Sequence, residues 1–582
     1  MFKNCLKYAV MLLCAALYGY VFWSLNRGVS SDEGWYLMGF VQPIEQSAIS
    51  DFHIIIRTFF WFLDFENLLQ LRYFYFFFSL AFIALFAISS YSFFKSKMNL
   101  KIDGVIYVSL IFMLSLFSYT FTSPILHYDT LQFIIYLIVF SLLFYASVNK
   151  KSANVLFPLV GFFSLYALVN YLPSGILLLL FILIWVIIQK QMSLKSASYF
   201  TAGFLLSTVI YHLFIHSLVD FVGFALNSIE VNAESHNPHM PSHGITSLMF
   251  GLMVYTTKVL LLSAIIFIIA IFVFFGVRKI NNKIVASIIH LLFYLLVFVF
   301  SFLFRLEVLT TMFLFPIVFL LADVISAKIV KRENVHYSIP KISLLLLFLV
   351  IPVGAVFGTN QPLERKTMIF LVFWLLAFFT LYAEYKTILS DFNKKHISIV
   401  YCGFVLIFFS YFGFFTRAHN FYYGIRRAEH KVENTRLSNI RLVEYERNYI
   451  RRLHSILIDN GFERGDTILA FEIDLIDVYA FGASVPNKLF FNVAQMIDRQ
   501  FIPENRINFI LVLRRDEERL ISHLSKSDWQ FPEHYKRIDI GRRATNISYE
   551  DSSVLYVFQR NHSPPDLKNK NIDDFQLFES VQ

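Results

Sequence analysis

Charge is scarce in this chain: Asp, Glu, Lys and Arg make up 16% of its 582 residues, against about a quarter in ordinary soluble domains. With 57% hydrophobic residues and 69 phenylalanines, that shortage excludes a cytosolic enzyme and a nucleic-acid binder. Cysteine is nearly absent. Cys5, Cys14 and Cys402 are the three present, each in or beside an apolar block, so no disulfide framework serves an exposed domain and a secreted disulfide scaffold is excluded. A cleavage site is missing too. The apolar run 8–23 follows Lys3 and Lys7 as in a signal peptide, but Ser24, Leu25, Asn26 and Arg27 come next, so it reads as an uncleaved first span. The sequence shows no internal repeat and no low-complexity tract.

The apolar residues fall into blocks close to the roughly 20 residues that cross a bilayer as a helix. After 8–23 they run over about 73–94, 105–122, 131–146, 155–170, 172–188, 199–218, 259–277, 284–304, 308–327, 342–358, 368–385 and 397–415. The pattern predicts a polytopic α-helical membrane protein with about thirteen transmembrane helices.

Cationic loops tend to stay cytoplasmic. With the N-terminus inside, the inner segments hold 19 Lys and Arg residues and the outer ones hold 7: Arg27, Arg57, Arg72, Lys258, Arg305, Arg365 and Lys366. An odd number of spans then sends everything after Phe415 outside. From Arg417 onward 24 basic residues balance 24 acidic ones, so the formal charge of +9 belongs to the membrane part, 26 minus 17. The excess is this loop bias and calls for no anionic partner.

Beyond the last span the composition changes to that of a small α/β domain. The reading is a membrane module over 1–416, an extracytoplasmic α/β domain over 417–560 and a disordered polar tail over 561–582. Within the domain, Val432 to Asn460 reads as a helix ending at a Gly461 cap, and strands are expected over 467–471, 507–513 and 553–558. Arg417, Arg426 and Arg427, with Tyr422 and Tyr423, read as an anchor at the membrane surface.

Candidate chemistry gathers in the outer loops. The first, about 26–72, begins Ser31-Asp32-Glu33-Gly34-Trp35 and continues into an aromatic stretch, 52–64, suited to a helix lying in the membrane interface. The next outer loop reads His127-Tyr128-Asp129-Thr130 and sets a carboxylate at a helix start. Each carboxylate has a plain reading, a solvated loop pair for Asp32 and Glu33 and a helix N-cap for Asp129. Lys258 and Arg305 lie at span boundaries, where cations also simply snorkel to the surface. The loop 220–246 carries Glu230, Glu234, His236, His239 and His243, but Asn237, Pro238, Pro241 and Gly244 break any helix that would align them for a metal. It reads better as a surface loop or one that closes over substrate. No acidic residue is expected in the middle of a span.

In their order and sidedness these features resemble the GT-C superfamily of integral-membrane glycosyltransferases, the group of the aminoarabinose transferases and protein O-mannosyltransferases. The matching residues are the acidic pair Asp32 and Glu33, the interfacial stretch after it, Asp129 before the fourth span, and Phe304-Arg305-Leu306-Glu307 beside the ninth. No His-Pro-Pro type element follows in the second outer loop, which departs from the aminoarabinose transferases themselves.

The resemblance implies transfer of a sugar from a polyprenyl-phosphate-linked donor to an acceptor on the extracytoplasmic face of a bacterial inner membrane. That acceptor is an envelope lipid, a glycan or a protein. Deprotonating an acceptor hydroxyl requires a base, and the leaving phosphate requires cations. Asp32 is the implied base, with Glu33 or Asp129 orienting the acceptor or helping to hold a divalent cation. Lys258, Arg305 and Arg57 are implied for the donor phosphate, and Glu307, His127 and Tyr128 as supporting residues. A transporter or flippase for a lipid-linked or polar substrate is the rival, and such proteins carry ionisable groups near mid-bilayer on broken helices.

Overall fold

A computed structural model describes residues 2–29, 31–42, 52–120, 123–149, 151–191, 193–223, 244–280, 282–302, 312–331, 338–357, 366–390, 428–471, 475–486, 507–525, 531, 534–543 and 551–558. The chain divides into two compact units, Met1–Glu444 and Tyr445–Gln582.

The first unit is helical because a backbone crossing hydrocarbon must satisfy its own hydrogen bonds. Its helices are α1 (Phe2–Ser24), α2 (Ser31–Val41), α3 (Phe52–Phe59), α4 (Leu68–Lys97), α5 (Gly104–Ser115), α6 (Phe117–Thr120), α7 (Tyr128–Val148), α8 (Ala153–Asn170), α9 (Leu172–Ile188), α10 (Leu194–Phe214), α11 (Gly244–Arg278), α12 (Lys283–Phe302), α13 (Phe315–Lys331), α14 (Ile339–Ala355) and α15 (Val372–Tyr385). Among the described residues, six stretches are long and apolar enough to cross a membrane: Lys7–Ser24, Leu68–Lys97, Tyr128–Val148, Ala153–Asn170, Leu194–Phe214 and Met253–Arg278. Shorter apolar helices stand at five further expected spans: Gly104–Tyr119, Leu172–Ile188, Lys283–Val297, Ile339–Ala355 and Val372–Tyr385. The thirteenth, 397–415, lies outside the described residues.

Local chemistry sets several helix starts. Asn67 caps α4 through the Gln70 N–H, Asp103 caps α5 through the Val105 N–H, and His127 caps α7. The helices pack through aromatic rings at the centre and small residues at the closest crossing. Trp185 of α9 meets Phe93, Phe144 and Phe348. Where α8 crosses α10, a Cβ on Gly203 would lie 1.9 Å from the Pro158 carbonyl oxygen, so only glycine permits that approach.

Ion pairs sort the helix ends into two sets. Glu33 with Arg72 and Asp129 with Lys366 join ends that alternation places on one side. Lys7 with Asp103 and Lys341 with Glu384 join ends on the other, and Arg278 at the end of α11 reaches Asp323 within α13. Asp323 corrects one expectation, because it is a fully buried carboxylate inside the apolar helix α13. Both of its oxygens are engaged. Arg278 donates to it at 2.7 Å and the Ser390 N–H at 2.8 Å, while the same guanidinium donates to the Ile388 carbonyl. These bonds lock α11, α13 and the chain after α15 together.

The helix expected from Val432 begins only at Glu444. Residues 428–443 are turns and bridges that pack within the first unit instead. Arg441 donates its N–H to the Asn26 carbonyl and accepts the Gly28 N–H, and His430 exchanges both backbone bonds with Leu442. Tertiary partners for these polar backbone groups replace the intrahelical ones.

The second unit holds α16 (Glu444–Asp459), β1 (Ile468–Phe471), α17 (Ile476–Phe481), β2 (Phe509–Leu513), α18 (Glu517–Leu524), β3 (Tyr535–Arg543) and β4 (Asp551–Phe558). The sheet order is β1-β2-β4-β3, with β1 parallel to β2 and the other pairings antiparallel. Gly461, at φ +80°, ends α16 as expected. The core joins Leu469, Phe471, Ile510, Val512, Leu520, Leu524, Val554 and Tyr556. β3 was not expected, since Tyr535–Arg543 reads YKRIDIGRR. As an edge strand it needs few apolar residues, and its Arg537 pairs with Glu517 at 2.6 Å. The polar tail, 561–582, lies outside the described residues.

Candidate functional site

The segment between α1 and α4 folds onto the start of α7. α2 begins at Ser31, which puts Asp32 and Glu33 in its first turn, and helical spacing sets position 36 one turn beyond position 32. The Tyr36 ring stacks on His127, centroids 4.5 Å apart and planes 11° from parallel. Phe52 of α3 packs against both Tyr36 and Tyr128. The acidic segments of two loops almost a hundred residues apart in sequence thus meet through an aromatic contact.

α2 and α3 approach closely because Gly39 has no side chain. A Cβ there would fall 2.0 Å from His53 Nε2. The His53 ring is consequently buried among Trp35, Phe40 and Phe52. Burial first, and the Arg57 charge second, push its pKa down to about 3, so it is neutral.

Glu33 is fully buried and both of its oxygens are engaged by Arg72, from Nε at 2.9 Å and Nη2 at 2.6 Å. The same guanidinium donates to the carbonyls of Leu25 at 2.7 Å and Gly28 at 2.9 Å. Glu33 therefore fastens α2 to α4 and to the end of α1. Its carboxylate is committed to Arg72, so any orienting of an acceptor by Glu33 acts through the placement of α2.

Asp129 is buried in the first turn of α7 and paired with Lys366, which is itself 3% exposed and lies over the Tyr128 ring. The N-cap is not Asp129 but His127. Its Nδ1 accepts the Asp129 N–H at 3.3 Å, while Thr130 Oγ1 accepts the His127 N–H at 2.8 Å. Burial, then the Lys366 charge, hold the His127 pKa well below the ordinary range. The ring is neutral, so its 3.8 Å approach to the Asp129 carboxylate is a polar contact rather than an ion pair. With Nδ1 accepting, the proton resides on Nε2, which is buried and has no partner among the described residues. Asn170 of α8 completes the wall by donating to the Tyr128 carbonyl at 2.8 Å.

The remaining candidates are dispersed. Arg57 is half-buried at the end of α3, and Lys258 is exposed on α11. The side chain of Asp32, the residues Arg305 and Glu307, and the loop 224–243 with its histidines lie outside the described residues. Among the described residues no group of three or more His, Cys, Asp or Glu side chains is placed to hold a metal ion.

Two residues central to this arrangement read in the sequence only as loop cations, Arg72 and Lys366. A signal was available. Each is a cation at an expected span boundary in a loop set that also holds acids, and such charges need partners when desolvated.

No protein-family model matches the chain, and no curated protein matches it in sequence.

Proposed function

We propose that the chain is a GT-C type glycosyltransferase, moving a sugar from a polyprenyl-phosphate-linked donor to an acceptor at the outer membrane face. One observation carries this reading: the acidic turn of α2 and the Asp129 helix start, two elements of the resemblance far apart in sequence, meet through the Tyr36–His127 stack. Asp32 stands as the base that takes the acceptor proton. The neutral Nε2–H of His127 and the Lys366 charge supply hydrogen-bond and electrostatic stabilisation to phosphate oxygens beside it. A divalent cation, if one is used, would join the Asp32 side of the cluster.

The reading includes about thirteen spans, a cytoplasmic N-terminus and an extracytoplasmic second unit in a bacterial inner membrane. The sorting of ion pairs into two sets of helix ends supports the alternation, and the 19-to-7 cation bias supports the sign. That both Asp323 oxygens are held by the chain weighs against the transporter.

Mass spectrometry of lipids that copurify with the chain, followed by transfer assays in nanodiscs, tests the proposal. Asp32→Asn should leave the protein folded and lower transfer a hundredfold or more, on the order expected for a lost general base. Normal turnover in that variant removes Asp32 from the mechanism. Translocation of the lipid without any glycosylated product gives the function to the transporter.

A further inference from the structure

Arg27 and Arg441 face each other across an isolated parallel bridge. Arg441 donates its N–H to the Asn26 carbonyl at 2.7 Å and its carbonyl accepts the Gly28 N–H at 2.8 Å, so the two arginines occupy directly opposed positions. Like charges opposed across a pair of strands destabilise it. Nearby carboxylates relieve the repulsion only in part. Glu33 is committed to Arg72, and Glu66 to Arg436. Glu429 is exposed and close enough to influence Arg27, yet among the described residues neither Arg27 nor Arg441 forms an ion pair. Arg426 and Arg427 add two more cations to the same stretch of chain.

The arrangement is also built rather than loose. Arg27 Nη1 donates to the Ala428 carbonyl at 2.7 Å, and its guanidinium lies 4.0 Å over the ring of Trp23. Trp23 is 42% exposed at the last turn of α1. An indole at the end of a span with a cation above it is the pattern of a membrane boundary. Both arginines are half-buried rather than sealed from solvent. The Nε atom of each is buried without a partner among the described residues.

We infer that Arg27 and Arg441, with Trp23 beneath, form a binding site for a phosphate-bearing anion at the end of α1. Guanidinium forks match phosphate oxygens in pairs, and an anion between the two arginines removes their repulsion. The site is independent of the transferase reading. Its ligand is a lipid phosphate head group, or free phosphate with the same chemistry.

The full chain in detergent, titrated with dioctanoyl phosphatidic acid and followed by native mass spectrometry, tests it, with dioctanoylglycerol as the phosphate-free control and inorganic phosphate as the soluble arm. The wild type should retain phosphatidic acid at least tenfold more tightly than dioctanoylglycerol, and Arg27→Gln/Arg441→Gln should lose that preference. Arg441→Glu is the second variant. It places a carboxylate opposite Arg27, which holds the bridge together by an ion pair while removing the anion site, so the fold should persist and the binding should not. Protection by inorganic phosphate equal to that by the lipid identifies free phosphate as the ligand; lipid binding alone identifies a head group. Equal affinity of wild type and Arg441→Glu for phosphatidic acid, or no wild-type preference for the phosphate-bearing lipid, overturns the inference.

Discussion

Arg72→Met separates the parts of the buried knot that joins α1, α2 and α4. The substitution keeps much of the side-chain volume and removes the donors to Glu33, Leu25 and Gly28. Glu33, at 0% exposure, is then left as a carboxylate in a desolvated position. Leaving that charge uncompensated costs about 3–5 kcal/mol. Two lost carbonyl contacts add about 0.5–1.5 kcal/mol apiece. The expected loss is therefore about 5 kcal/mol, at the upper end of what breaking a buried ion pair produces. Glu33→Gln should be milder, because the Leu25 and Gly28 carbonyls still surround the Arg72 guanidinium. The double variant Glu33→Gln/Arg72→Met should recover about 2 kcal/mol or more relative to Arg72→Met, since no uncompensated charge remains. Thermal unfolding of the purified chain in one detergent, for all four proteins, gives the coupling directly. If the two single losses simply add in the double variant, the pair is not coupled and the account of the knot is wrong.

The buried neutral histidines set a pH dependence. Both His53 and His127 have folded-state pKa values below the unfolded value of about 6.5, so their contribution is complete above that pH and declines as pH falls toward the folded value. At pH 5.5 the loss is about 1.4 kcal/mol for each. Hydrogen exchange of residues 52–59 and 123–131 should speed up accordingly after correction for intrinsic rates; a flat profile contradicts the neutral assignment. Gly39→Ala should destabilise the α2–α3 contact by about 1–3 kcal/mol because its Cβ meets His53, and adding His53→Ala should relieve the clash, both read by thermal unfolding. Lys366→Met should cost about 3–5 kcal/mol and Asp129→Asn/Lys366→Met distinctly less; equal losses in the two would show that the buried pair is not what Lys366 contributes.

Hydropathy and loop charge are local properties, and they made the helical membrane architecture and the positions of the apolar helices legible in the sequence. A segment of this composition must satisfy its backbone internally wherever it packs. Gly461 was legible for the same reason, since a positive-φ helix end depends on a few neighbouring residues. The start of α16 was not. Residues 432–443 are polar enough to form a helix, and only their docking on Asn26 and Gly28 decided against it. β3 escaped notice because an edge strand carries little of the apolar alternation by which strands are recognised.

The site divides in the same way. The sequence by itself marked Glu33, His127 and Asp129 as unusual residues at span ends, since a carboxylate or histidine stands out against an apolar background. Their partners were decided by the tertiary structure alone. Arg72 reaches Glu33 across 39 residues and Lys366 reaches Asp129 across 237, and no local pattern encodes such a pairing. Which cation neutralises which acid depends on how the helices pack, and that follows from side-chain shape summed over the whole unit, the Gly39 gap for His53 included.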